Sequence, residues 1–67
     1  MIAIKARYLK HGEPIGKDYV FACNFIPKLG DIVKAGCAKA VVTEVDTFEG
    51  AVEKYGGELK EVEELEE

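Results

Sequence analysis

At 67 residues, 33% of them charged and 48% hydrophobic, the chain has room for one domain and a thin core. A core of this size buries roughly 60% of the unfolded surface and yields only about 3–5 kcal/mol, so a second domain is excluded and a partner subunit is the expected extra source of stability. The net charge of −4 argues against a general nucleic-acid coat, and no apolar run approaches the roughly 20 residues that cross a bilayer.

The start, Met1-Ile2-Ala3-Ile4-Lys5, has no charged region followed by a long apolar stretch, so no secretory leader is read there and a cytoplasmic protein is expected. Ile2, Ile4, Ala6 and Tyr8 then alternate with Ala3, Lys5, Arg7 and Leu9, the period of a half-buried first strand. His11 to Gly16 packs two glycines and a proline into a turn. From Lys17 to Cys23 the alternation resumes, with Tyr19, Phe21 and Cys23 on one face, and the two runs form a hairpin.

Asn24 to Lys28 breaks the pattern, since Pro27 cannot donate to a ladder. Gly30 is placed to take a positive φ and swing the chain into a third strand over Asp31–Ala35. Gly36 turns it back into a fourth, Ala38–Val45, whose Val41, Val42 and Val45 give it the highest β-propensity in the chain. Phe48, Val52 and Tyr55 next share one helical face, with Thr47 or Asp46 as N-cap, and Gly56-Gly57 ends that helix. Leu59, Val62 and Leu65 are spaced by three, as a helix would have them. The preferred reading is a short return strand over Leu59–Val62 with an acidic tail from Glu63 to Glu67. The domain then spans residues 1–62.

Five short strands with one helical turn between the fourth and fifth predict a mainly β fold, a small antiparallel SH3-like barrel. An OB-like barrel is the alternative, but it normally carries its helix between strands three and four. The runs Lys5-Ala6-Arg7-Tyr8-Leu9-Lys10 to Tyr19, and Gly30-Asp31-Ile32-Val33 with Ala40-Val41-Val42-Thr43-Glu44-Val45-Asp46, carry a resemblance over most of the chain. They resemble a group of small proteins of Firmicutes and their phages, and more distantly the N-terminal barrel of the primosomal helicase. That resemblance implies the barrel and a phage or mobile-element setting. It implies no activity, and the cysteines stand outside its pattern.

Cys23 and Cys37 do not form a C-x-x-C pair, and the single His11 lies far from both in sequence. They make no zinc set and no disulfide framework, so no metal or cofactor is expected. Both are read as reduced, partly buried thiols, with one disulfide as the alternative. His11 has no nucleophile or carboxylate beside it in a catalytic arrangement, so an enzyme is not expected.

Charge is uneven: residues 1–40 sum to +4 and residues 41–67 to −8. Lys5, Arg7, Lys10 and Lys17, interleaved with Tyr8 and Tyr19, are the candidate nucleic-acid surface, cations following phosphates while an aromatic stacks on a base. Phe25 and Ile26, expected to be exposed, are the candidate anchor for a protein partner. The preferred reading is a non-enzymatic interaction module acting through protein contacts, forming a homo-oligomer, with a nucleic-acid accessory role as the alternative.

Overall fold

The computed structural model describes residues 2–56 and 58–65. In chain order the elements are β1 (Ile2–Lys10), β2 (Glu13–Pro14), β3 (Tyr19–Cys23), β4 (Ile32–Ala35), β5 (Ala38–Asp46), α1 (Ala51–Lys54) and β6 (Glu61–Glu64). The strands β1, β3, β6, β4 and β5 form a ring that closes when β5 pairs with β1. This is the small SH3-like barrel that the strand pattern predicts, with its one short helix ahead of the last strand.

Four seams of the ring are antiparallel and one, β3 against β6, is parallel. An odd ring must contain such a seam, because strand directions cannot alternate all the way around five members. The first four strands come as two antiparallel hairpins, β1–β3 and β4–β5, so the mismatch falls on the strand inserted last. Closure also removes the open barrel edges that five strands otherwise leave for pairing. Among the described residues, the short flap β2 keeps a free side, and it carries Pro14, a residue suited to an edge.

Period two decides what enters the barrel. Ile4 and Ala6, Phe21 and Cys23, Val33 and Ala35, Ala40 and Val42, and Val62 form the core, with Ile2, Tyr8, Phe25 and Val45 packed against it. On β5, strict alternation after Ala40 and Val42 would send Glu44 inward. The register slips instead: Lys5 pairs with Glu44 and Ala6 with Val42, leaving Thr43 as the extra residue of a β-bulge. The slip turns Glu44 out and Val45 in. Ala3 and Ala22, cross-strand partners outside that core, are nonetheless buried, and α1 packs against β1 with its own Ala51 fully buried. Small side chains let the helix sit close.

Three expectations need correction. The helix is a single turn rather than Phe48 to Tyr55, because Gly50 takes φ +81° immediately before it. Asp46 accepts a hydrogen bond from the Phe48 N–H at 3.0 Å, making a local turn and not a helix cap, and Phe48 is 66% exposed. The last strand lies two residues later than Leu59–Val62, so Glu63 and Glu64 belong to the barrel and not to a tail. Val62 sets that position: it is the apolar residue that pairs with Cys23 and joins the core, and Ala22 N–H donates to the Lys60 carbonyl at 2.8 Å beside it. Glu66 and Glu67 of the expected tail lie outside the described residues. Finally, both cysteines are free, as expected, but only Cys23 is buried; Cys37 is exposed beside Gly36 at the β4–β5 turn.

Candidate docking surface

Strand register brings three chain segments to one end of the barrel. Ile2 at the start of β1 pairs with Cys23 at the end of β3, and Ala3 pairs with Asp46 at the end of β5. The chain therefore leaves both β3 and β5 here, and these two connections carry the largest exposed apolar side chains. Ile26 is 74% exposed, Leu29 69% and Phe48 66%.

Local geometry holds them out. Pro27 is buried and anchors the β3–β4 connection. Residues 28–31 then form a tight turn: Asp31 N–H donates to the Lys28 carbonyl at 3.0 Å, and Lys28 N–H donates to Asp31 Oδ2 at 2.9 Å. Gly30, third in the turn, has φ +89°, the position where a type II turn demands glycine. Leu29 sits at the tip and has nowhere to turn inward.

A groove of about 580 Å³ opens beside this loop, lined by Phe25, Ile26, Ile32 and Leu65 with Asp31 and Glu64 among its walls. A second hollow on the α1 side pairs Ile2, Phe48 and Val52 with Glu49 and Glu53. Neither contains a lysine or arginine. The two hollows are thus apolar and acidic, suited to an apolar knob flanked by cations, with Lys28 exposed in the turn beside them. Phe25 departs from expectation: it is half-buried against the core and forms the groove's floor, leaving Ile26 as the exposed member of the pair. The sequence reading gives Leu29 no role of its own and places Phe48 on a helix face, so neither stands out there. Gly30 and Gly50 were the signals that each would be left outside.

The basic candidates do not gather into one patch. Lys5 Nζ lies 3.5 Å from Glu44 and Arg7 Nε 3.0 Å from Asp18, both on the outer face of β1. Lys10 is exposed at the far end of β1, and Lys17 Nζ stands 5.8 Å from the Tyr19 ring centroid. Tyr8 packs edge-on against Tyr19 at 5.4 Å and against Phe21 at 5.9 Å, so Tyr8 and Phe21 serve the core while Tyr19 remains 42% exposed.

His11 is exposed in its turn with φ +53°, and no group of three or more histidine, cysteine or acidic side chains among the described residues is placed to hold a metal. Burial pushes the Cys23 thiol above its ordinary pKa, and the Glu61 carboxylate adds to the rise. That is the opposite of what a nucleophile needs.

The chain is a small closed β-barrel with apolar, acid-lined hollows at one end. No protein-family model matches the chain, and no curated protein or solved structure is significantly similar to it. Among the described residues, no helix is long and apolar enough to cross a membrane.

Proposed function

We propose that the protein is a non-enzymatic interaction module whose loop end docks on another protein. The observation that carries this reading is the convergence of Ile26, Leu29 and Phe48, each about two-thirds exposed or more, on two connections at one end. Scattered exposed apolar residues are ordinary, but several at one end, beside grooves, mark a contact site. Each such side chain gains about 1.5–3 kcal/mol when a partner covers it. A phage or mobile-element setting is what the resemblance of the Lys5–Tyr19 and Gly30–Asp46 runs implies. The nucleic-acid alternative keeps Lys17 over the exposed Tyr19 in its favour. It loses weight because Lys5 and Arg7 already face carboxylates.

The test is affinity capture from a host lysate with the tagged protein, with and without nuclease, against the variant Ile26→Asp/Leu29→Asp. Proteins retained after nuclease and lost in the variant support the reading. Capture that disappears with nuclease and persists in the variant overturns it in favour of nucleic acid.

A further inference from the structure

We infer that the loop end of one copy receives the hairpin end of a second copy, head to tail. The inference rests on the reading of the loop end as a contact surface and names one occupant for it.

The opposite end of the barrel supplies the complement. It carries the β1–β3 hairpin, where Ile15 is 45% and Tyr19 42% exposed. Lys10, His11 and Lys17 are exposed around them, and no ion pair engages these three among the described residues. Asp18, the acid nearest the tip after Glu13, is taken up by Arg7. At the neighbouring β4–β5 turn Lys39 is exposed opposite Lys34, and Lys34 itself faces Glu63 across the β4–β6 register.

The loop end offers the matching anions. Asp31 and Glu64 rim one hollow, Glu49 and Glu53 the other, and no cation lines either. Apolar residues are available on both sides, Ile15 and Tyr19 facing Ile26, Leu29 and Phe48.

Charge also bears on the symmetry. Two loop ends facing each other would bring together the acidic hollows of both copies, with Lys28 as the exposed cation of the β3–β4 turn, and two hairpin ends would bring together Lys10 and Lys17, with Glu13 beside Lys10. A head-to-tail contact places the acidic hollows against the lysines and is the more complementary pairing. Joining unlike ends leaves one free end of each kind, and association continues beyond two copies unless the ring closes.

The experiment is analytical ultracentrifugation of the purified full chain from micromolar to millimolar concentration. The wild type is expected to grow beyond a dimer with concentration and to shrink toward monomer as salt rises. Two variants block one end each: Ile26→Asp/Leu29→Asp and Lys10→Glu/Lys17→Glu. Each alone is expected to be a folded monomer by circular dichroism, since all four side chains are exposed. Mixed in equal amounts, they form a heterodimer and nothing larger, because one intact end of each kind remains.

A wild type that stays monomeric throughout overturns the inference, as does a mixture of folded variants that stays monomeric. Association unchanged by either pair of substitutions overturns it too. The Lys10→Glu/Lys17→Glu variant keeps its loop end, so retained lysate capture by that variant beside a monomeric wild type would remove self-assembly and leave the docking function standing.

Discussion

Thr43 donates its side-chain hydroxyl to the main-chain carbonyl of Lys5 at 3.2 Å, across the point where the β1–β5 register slips. The bond ties the extra residue of the bulge to the strand that it faces. It also marks the switch that puts Val45, and not Glu44, against the core.

Removing the hydroxyl and removing the residue should therefore both leave the barrel able to fold. Thr43→Ala loses one exposed hydrogen bond and is expected to cost about 1 kcal/mol or less. Deleting Thr43 takes out the extra residue itself: Lys5 stays opposite Glu44 and Ile4 opposite Val45, so Glu44 still faces out and Val45 in. Urea unfolding of the two variants followed by circular dichroism checks this; a deletion variant that fails to fold would show that the local bend of the bulge, beyond the register, is needed to close the barrel.

Val62 is the one core residue of β6 and is 1% exposed. Truncation to alanine removes two methyl groups and opens a void beside Cys23 in the core, expected to cost roughly 2 kcal/mol. In a chain of this size that is near half the total stability. Leu65, half-buried at the groove, should tolerate the same change with a smaller loss. Comparable losses at both positions would mean that β6 is held by its backbone and not by Val62.

The ion pairs on β1 should matter little. Lys5–Glu44 and Arg7–Asp18 are both solvent-exposed, and pairs of that kind contribute about 0–1 kcal/mol. Arg7→Gln is expected to move the urea midpoint only slightly, and high salt to leave it nearly unchanged. A large loss on Arg7→Gln would indicate that the pair organises the hairpin leading into β3.

The two thiols should behave as different groups. In the native protein, Cys37 is expected to react with a disulfide reagent at once and Cys23 only after denaturation, since one is exposed and the other buried. Burial keeps the folded pKa of Cys23 above its ordinary value of 9.0. The folded protein then holds a proton that the unfolded chain gives up, so the associated stability is complete below about pH 9 and is lost as pH rises through the folded value. Cys23→Ala should flatten the fall in unfolding free energy above pH 9. A slope left unchanged by Cys23→Ala would remove Cys23 as the source.

Much of the barrel was legible because its strands obey one rule. Ile2, Ile4, Ala6 and Tyr8 alternate cleanly, as do Tyr19, Phe21 and Cys23, and the glycines at 30 and 36 punctuate the second hairpin. The sequence reading failed where two rules compete. Around Thr43 the alternation and the bulge give opposite faces for Glu44, and no local signal chooses between them. At Phe48 a helical period reads through Gly50, whose positive φ stops the helix. At the loop end, Phe25 and Ile26 are equally apolar, but Phe25 packs against the core, with Cys23 Sγ donating to its carbonyl at 3.0 Å from two residues back, and Ile26 is left out.

The strand that makes the parallel seam is also the one that completes the ring. Residues 61–64 fill the gap between β3 and β4, so without them those two strands carry bare edges and the lining of the barrel is open to solvent. A short peptide bearing Glu61-Val62-Glu63-Glu64 supplied in trans would meet the same gap, making the last strand a natural place to split the protein into two complementing fragments.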